Sequence, residues 1–233
     1  NSITAEEKRA LQTIWLQSEA TQPTLALSEE ERSWLKNHPV LHVAFDVDWP
    51  PVEFIAENGD IEGIAADYLK RMGDLLRIRF EPASPRSWKE MLASVQDGEL
   101  DFFSAVSPTV QRREWLDFTD SYLSFPIVIV TREDVPYIGK MEDLANNTVA
   151  VVNGYASHDL LSENHPELPL LLTRDVKEGL MAVTSRETFA FIGSLATVSH
   201  IIGREGLTGL KVSGETPYTF NIAMGVPKGE TIL

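Results

Sequence analysis

The chain has 233 residues, which is enough for one sizeable domain or for two small lobes that share a core. Its formal charge of −15 comes from 20 Lys and Arg residues against 35 Asp and Glu residues, and so acidic a surface disfavours non-specific binding to nucleic-acid phosphates. Because the sequence contains no cysteine, it cannot form a disulfide framework, a thiolate nucleophile or a Cys-based zinc site.

Two helix-start signatures occupy the first forty residues. A capping box, in which a Ser or Thr and a Glu three residues later satisfy each other's backbone N–H groups, is predicted at Thr4 and Glu7 and again at Ser28 and Glu31. The segment between the two helices has the composition of a linker. We therefore expect residues 1–37 to be N-terminal helices and a linker, and the apolar first helix to pack outside the main domain or to belong to an upstream part of a longer protein.

Residues 38–126 are predicted to form a first lobe with β-α-β-α-β order. The alternation in VLHVAFDV predicts a strand, and the tandem prolines after it must lie in a loop or at a sheet edge because proline cannot donate a ladder hydrogen bond. Apolar residues at helical spacing predict two helices after this strand, and the second helix has a capping box at Ser87 and Glu90. This order predicts a doubly wound, mostly parallel sheet of the α/β class.

Residues 127–222 are predicted to form a second lobe, in which helices alternate with the strands TVAVVNG, LPLLLTR and TFAFIG. Two apolar segments, 124–134 and 219–226, connect the lobes, one leaving the first lobe and one returning to it. Two lobes that are joined by two crossing strands enclose a cleft and can move about a hinge. Residues 223–233 return to the first lobe, and we expect them to be the truncated end of a piece of a longer protein.

The loops that could line such a cleft come from both lobes. In open α/β sheets, ligands bind beyond the carboxyl ends of the strands, where loops lead into helix N-termini. The loops that meet this condition are Asp48–Phe54, Ser104–Arg112, Asn153–Ser157 and Gly193–Ser194.

Arg112 has two interpretations. Thr109 follows a proline and is a predicted N-cap, so the backbone N–H groups of the next turn would point into the cleft and attract an anion. Arg112, one turn further on, could then hold a carboxylate with two parallel hydrogen bonds. The alternative is that Arg112 and Arg113 are solvated helix charges that pair with nearby carboxylates, and spacing does not decide between the two.

Three other positions also have a binding interpretation and a structural one. Trp49 lies in a proline-rigid loop and either stacks on a ligand or fills a core position. The turn around Ser157 either offers a hydroxyl at a helix start or is an ordinary strand-to-helix turn. Trp88 lies in the first turn of its helix, where periodicity favours the core.

The sequence offers little evidence of a catalytic or metal-binding site. None of the five histidines has a metal-ligand spacing, the GYASH turn lacks the Gly-x-Ser-x-Gly pattern of a nucleophile elbow, and no glycine-rich phosphate loop is present. We therefore expect no catalytic residue, no metal and no cofactor in this domain.

The segment DFFSAVSPTVQRREWLDFTDSY carries a family signature. Its strand ends in small polar residues and is followed by Thr-x-x-Arg and an Asp-Phe segment, which resembles the type II periplasmic solute-binding proteins of the polar amino-acid class. DWPPVEFIAENGDIEGIAADYL is similar to the first motif of that family, and DLANNTVAVVNGYAS and TFAFIGSLATVSHII are similar to segments of its second lobe. The resemblance runs in order over about residues 38–229 and implies a two-lobe, periplasmic-binding-protein-like (type II) Venus flytrap with two crossing hinge strands.

Other segments resemble a subgroup of this family. LSEEERSWLKNHPVLHVAFDVDWPP and YLSFPIVIVTRED look most like the Venus-flytrap sensor domains of bacterial two-component histidine kinases, which often occur in tandem. ITAEEKRALQTIWL resembles the closing helix of a preceding flytrap domain. This likeness agrees with the expectation that the first helix belongs to an upstream part.

The resemblance implies a ligand site without a catalytic residue. The ligand's carboxylate would be bound by Arg112 with the help of Thr109 and Ser107, and Ala105 would offer its backbone carbonyl. The remaining contacts would come from ring and turn residues of the two lobes: Trp49, Trp88, Gly154, Tyr155, Ala156 and Ser157.

Ser194 departs from the family pattern. Amino-acid binders usually have an aspartate at this position, which pairs with the ligand's ammonium group, and a serine cannot supply that charge. The resemblance therefore implies a small carboxylate-bearing or amino-acid-like ligand without a strong requirement for an ammonium group, or an altered binding mode.

The leading interpretation is an extracytoplasmic sensor domain that binds its ligand between the lobes and signals by lobe closure. Such a domain would lie in the periplasm at the bacterial inner membrane, with an adjacent flytrap domain and a membrane-spanning signalling region beginning near Glu230 as partners in the same chain. A homodimer of the full-length histidine kinase is compatible with this interpretation. The alternatives are the solute-binding receptor of an ABC amino-acid transporter and a flytrap-fold enzyme such as a dehydratase, and stabilisation by a ligand without turnover would favour binding over catalysis.

Overall fold

A computed structural model describes residues 25–56, 58–84 and 87–230 of the chain. The chain divides into two compact units, residues 1–37 and 38–233. The first predicted helix, with Thr4 and Glu7, lies outside the described residues.

The described part of the first unit contains the helix α1 (Glu29–Asn37). The Ser28 N–H donates to Glu31 Oε2 at 2.6 Å, and the Glu31 N–H donates to Ser28 Oγ at 3.1 Å. These two bonds satisfy N–H groups that have no partner within the helix. The predicted capping box at Ser28 is therefore confirmed.

The second unit has helices of two kinds among its described residues. The α-helices are α2 (Ile64–Leu76), α3 (Trp88–Gln96), α4 (Ala156–Asn164), α5 (Val176–Thr184) and α6 (Leu195–Glu205), and the 3-10 helices are Arg112–Glu114 and Met141–Leu144. The predicted capping box of α3 at Ser87 and Glu90 is present. No helix in the described part of the chain is long and apolar enough to cross a membrane.

The strands of the second unit form a large sheet and a small one. The strands are β1 (Val40–Ala44), β2 (Asp48–Trp49), β3 (Glu53–Ile55), β4 (Ile61–Glu62), β5 (Arg79–Pro82), β6 (Phe102–Val106), β7 (Leu116–Phe118), β8 (Leu123–Arg132), β9 (Val149–Val152), β10 (Leu170–Thr173), β11 (Ala190–Ser194) and β12 (Leu210–Pro227). The large sheet has the order β10-β9-β11-β8-β12-β6-β1-β5, with β7 paired to β12, and β2-β3-β4 form the small sheet.

The sequence predicted a mostly parallel sheet, but the large sheet is mixed. In lobe 1, which contains β1 to β7 with α2 and α3, the strands β5, β1 and β6 run parallel. In lobe 2, which contains β9 to β11 with α4 to α6, the strands β10, β9 and β11 run parallel. Between these sets lie β8 and β12, which run antiparallel to each other and to their outer neighbours because one leaves lobe 1 and the other returns to it.

The predicted crossing segments are β8 and β12, and they are hydrogen-bonded along most of their length. Leu123–Pro126 pairs in antiparallel register with Thr219–Ile222. The two strands that were predicted from LKVSGE and YTFNIAMGV are one strand of 18 residues with a bulge at residues 216–218. Pro217 lies in this bulge, where the chain needs no ladder donor.

One cluster of buried apolar side chains joins the two lobes. It includes Trp49 and Ala105 from lobe 1, Ala156 and Ile192 from lobe 2, and Phe220 from β12. A core that is continuous across the cleft means that the lobes are closed on each other in this structure.

Candidate functional site

The carboxyl ends of four strands lead into the cleft between the lobes. β1 is followed by Asp46 and β6 by Ser107, while β9 leads to Gly154 and β11 ends at Ser194. Within each lobe these strands are parallel, so their carboxyl ends lie at the same edge of the sheet.

Arg112 is buried and connects the two lobes. Its exposed fraction is 4%, which excludes the interpretation as a solvated charge. Nη1 donates to the Ser107 carbonyl at 2.9 Å and Nη2 donates to the Gly154 carbonyl at 2.8 Å, while Asp159 Oδ2 lies 3.4 Å from Nη2. Burial lowers the pKa of Arg112, and the charge of Asp159 acts against that shift. The guanidinium is therefore held by groups of the protein itself.

The sequence predicted that Thr109 caps a helix, but no α-helix begins there. Its Oγ1 accepts a hydrogen bond from the Arg112 N–H at 3.4 Å, but the helix that follows is the single 3-10 turn Arg112–Glu114. The Arg112 side chain folds back onto the Ser107 carbonyl, which keeps the segment in a tight loop. The Thr109 hydroxyl also donates to Asp159 Oδ2 at 3.4 Å, so it supports the same contact between the lobes.

The Gly154 carbonyl accepts two hydrogen bonds from lobe 1. Trp88 Nε1 donates to it at 3.0 Å, and Arg112 Nη2 donates at 2.8 Å. Gly154 has a φ of 78°, a conformation that a residue with a Cβ adopts only with strain, and this turn directs its carbonyl toward lobe 1. The Trp88 ring is buried as well, so this side chain serves both the core and the cleft.

The Tyr155 side chain occupies the middle of the cleft. Its hydroxyl donates to Asp46 Oδ2 at 2.5 Å, and its ring centroid lies 6.1 Å from those of Trp49 and Trp88. Burial and the charge of Asp46 raise the pKa of Tyr155 well above its ordinary value, so the hydroxyl keeps its proton and remains a donor. A side chain of lobe 2 thus fills the space in which a ligand was predicted.

Two carboxyl groups are buried behind Tyr155. The Asp46 N–H donates to Glu53 Oε1 at 2.7 Å, and Ser104 Oγ donates to Glu53 Oε2 at 2.5 Å. Burial raises the pKa of Asp46 to about 6 and that of Glu53 well above its ordinary value. Among the described residues, no basic side chain offsets either shift.

Three aromatic residues, Trp49, Tyr155 and Phe220, line both of two small compartments in the cleft. The first compartment is completed by Asp46, Trp88, Val106, Ser107, Arg112 and Ala156. The second is completed by Val152, Ser157, Val176, Phe191, Ile192, Gly193, Ser194 and Thr197. Each has room for about one water molecule, so a ligand of amino-acid size does not fit into either compartment in this closed arrangement.

The structure brings most of the predicted site residues together. Those that line a compartment are Trp49, Trp88, Ser107, Arg112, Tyr155, Ala156, Ser157 and Ser194. Ala105 is buried in β6 within the core cluster. Thr109 and Gly154 contribute through the contacts with Asp159 and Arg112 described above.

Sequence reasoning missed several residues of the site, among them Asp46, Asp159, Thr197 and Phe220. Asp46 lies two residues beyond the end of β1, and this position at a strand's carboxyl end was a usable signal. Phe220 belongs to a predicted crossing segment, and Thr197 lies in the first turn of α6. Asp159 is one turn into α4, and nothing in its spacing indicates that it reaches Arg112.

The raised pKa of Asp46 predicts that the closed domain becomes more stable as the pH falls. A carboxyl group whose pKa is raised by burial binds its proton more tightly in the closed state than in the unfolded chain, so its stabilising effect is complete in acid and is lost as the pH rises through about 6. Between pH 7.5 and 5.0 we expect the free energy of unfolding to rise by about 1 kcal/mol, or the melting temperature by about 2–4 °C.

The control for this prediction is Asp46→Asn, which cannot titrate. Its melting temperature should vary less between pH 7.5 and 5.0 than that of the wild type, with the remaining slope in the same direction because the pKa of Glu53 is also raised. Equal slopes for the two proteins would contradict the assignment of the pH dependence to Asp46.

Residues 41–233 match the sequence model of the bacterial extracellular solute-binding proteins, family 3. Virulence sensor protein BvgS of Bordetella bronchiseptica is 24% identical to this chain, over the whole of the chain and 19% of BvgS. The chain thus spans about a fifth of the length of this relative. The probable amino-acid-binding protein YxeM of Bacillus subtilis is 27% identical, over 76% of the chain and 67% of YxeM.

A solved structure has the same fold. The crystal structure of a double mutant of the Bordetella pertussis BvgS VFT2 domain has a TM-score of 0.77 and 25% identity to this chain. The similarity covers 89% of this chain and 88% of that domain.

Proposed function

Since the chain belongs to the bacterial extracellular solute-binding proteins, family 3, we propose that it is the ligand-sensing domain of a membrane sensor histidine kinase. The proposal is supported by similarity to BvgS over the whole chain. The observation that carries it is the closed cleft, in which Tyr155 and Arg112 make the contacts between lobes that a bound solute would otherwise make.

The proposed ligand is a small carboxylate-bearing solute that binds between the lobes. Its carboxylate would replace Asp159 at Arg112, whose Nε has no partner among the described residues. Ser107 Oγ is also buried without a partner in the described part of the chain, and it lines the same compartment. Two such donors favour an acceptor group in the first compartment.

The proposed signal is a change in lobe closure. A solute that displaces Tyr155 would convert the closed arrangement into a different closed arrangement or into an open one. It would shift the equilibrium between the starting and final arrangements by the difference between its binding free energies for them. The change would pass through β8 and β12, because these are the strands that connect the lobes.

The proposed location is the periplasmic face of the bacterial inner membrane. The partners would be an adjacent flytrap domain and a membrane-spanning signalling region of the same chain, and the full-length kinase would act as a homodimer. The size difference between this chain and BvgS supports such a multidomain arrangement.

A second candidate function is the solute-binding receptor of an ABC amino-acid transporter. Similarity to YxeM over two thirds of that protein supports it. The two functions differ in their output, which is phosphorylation in one case and uptake in the other.

The test is Tyr155→Ala in the full-length protein in its own bacterium, with Tyr137→Ala as the control because Tyr137 is an exposed tyrosine of lobe 2. We expect Tyr155→Ala to change kinase phosphorylation several-fold at unchanged abundance and to leave amino-acid uptake as it is. Altered uptake with unchanged phosphorylation would favour the receptor.

A further inference from the structure

The second compartment of the cleft contains two hydroxyl groups without partners. Ser194 is 4% exposed and Thr197 is 1% exposed, and both side chains line the compartment. Neither Ser194 Oγ nor Thr197 Oγ1 has a hydrogen-bond partner among the described residues. Because burying a hydroxyl without a hydrogen-bond partner is unfavourable, such a pair at one small void indicates a site that is completed by another molecule.

Both hydroxyls lie at the N-terminus of α6, an eleven-residue helix. Ser194 is its N-cap residue but accepts no capping hydrogen bond, and Thr197 is in the first turn. The first N–H groups of a helix have no acceptor within the helix and carry a partial positive charge. The compartment therefore presents hydrogen-bond donors, which call for an oxygen acceptor.

The described residues that line the second compartment carry no charge. A buried ammonium group without a carboxylate partner is costly, and here it would also face the positive end of α6. A carboxylate would find no Lys or Arg in the lining, and Asp175 immediately precedes the lining residue Val176. A neutral oxygen, such as a hydroxyl, satisfies the donors without burying a charge.

We propose that the second compartment binds a neutral oxygen of the ligand, so that the domain prefers hydroxy acids to the corresponding amino acids. This inference rests on the proposed function, in which Arg112 binds the carboxylate in the first compartment. The two compartments share Tyr155 as a wall, so a ligand that displaces this ring can reach both. The carboxylate of Asp46 lines the first compartment and not the second.

The experiment compares pairs of probes that differ only in the group to be recognised. Lactate and alanine, malate and aspartate, and 4-hydroxybutyrate and 4-aminobutyrate each exchange a hydroxyl for an ammonium. Binding to the purified protein is measured by calorimetry and by the rise in melting temperature. We expect at least one hydroxy acid to bind with an affinity at least tenfold higher than its amino counterpart.

Two variants test the named hydroxyls. Thr197→Val keeps the size of the side chain and removes its hydroxyl, and we expect it to weaken binding of the hydroxy acid about fivefold to tenfold. Ser194→Asp supplies a carboxylate, and we expect it to reverse the preference toward the amino acid. Ser199→Ala, an exposed serine on the same helix, is the matched control and should bind as the wild type does.

The outcomes separate this inference from the proposed function. Equal or tighter binding of the amino acids, or unchanged affinity in Thr197→Val, would overturn the inference and leave a ligand-binding sensor in place. If none of the six probes bound to the wild type, both the inference and the proposed carboxylate ligand would fail. If the buried aspartate of Ser194→Asp prevents folding, Thr197→Val still tests the inference.

Discussion

Tyr155→Ala is expected to shift the unliganded domain from the closed arrangement to an open one. The substitution removes a ring that packs against Trp49 and Trp88 and leaves the buried Asp46 without its hydroxyl donor. Replacement of a packed aromatic side chain by alanine costs about 3–5 kcal/mol, and here the cost falls on the closed state because the ring crosses from one lobe to the other. Small-angle X-ray scattering should show a larger radius of gyration.

Two variants separate the ring from its hydroxyl. Tyr155→Phe keeps the ring and removes the donor to Asp46, and we expect it to destabilise the closed state by about 1–3 kcal/mol. Tyr137→Ala should scatter as the wild type does, because Tyr137 is 75% exposed. A Tyr155→Ala protein with the scattering curve of the wild type would show that the ring does not hold the lobes together.

Arg112→Ala is expected to lower the free energy of unfolding by about 3–5 kcal/mol, because it removes one partner of a buried ion pair. Asp159, with 16% of its side chain exposed, would keep its charge but lose Arg112 as its ion-pair partner. The carbonyls of Ser107 and Gly154 would also lose the donor that joins the lobes. Denaturant unfolding of the purified domain measures the change.

The neighbouring arginine is the control. Arg113 is exposed, with its guanidinium 5.3 Å from the Phe118 ring centroid, and we expect Arg113→Ala to change stability by less than about 0.5 kcal/mol. Arg112→Ala should in addition bind the carboxylate probes more weakly than the wild type. Wild-type stability and affinity in Arg112→Ala would contradict both assigned roles.

The sequence is sufficient to predict the loops of the site, because strand ends are encoded locally. The buried runs that became β1, β6, β9 and β11 are short, apolar and bounded by turn residues, and parallel strands place such ends at one edge. The order of the central strands was not predictable from local pattern, since β8 and β12 pair across 97 residues at Ser124 and Asn221.

The directions of the side chains at the cleft cannot be predicted from local sequence patterns. Tyr155 was expected to contact a ligand from the lobe-2 turn, and the same position places its ring in the ligand's space once the lobes close. Asp46 and Glu53 are seven residues apart, and only the small sheet β2-β3-β4 brings Glu53 back to the Asp46 N–H. The Tyr155 contact depends on how the two lobes meet, and the Glu53 contact depends on how the small sheet folds back; a hydrophobic periodicity of 2 or 3.6 residues encodes neither.

The distance between the lobes in the absence of a ligand tests the central claim most directly. Because the chain has no cysteine, spin labels at Lys89→Cys on lobe 1 and Glu187→Cys on lobe 2, both exposed positions, report this distance alone. Pulsed electron–electron double resonance should give one short distance between the two labels in the unliganded domain and a longer, broader distance distribution after Tyr155→Ala. An unliganded domain that already shows the long distribution, unchanged by Tyr155→Ala, would contradict a cleft held closed by its own tyrosine.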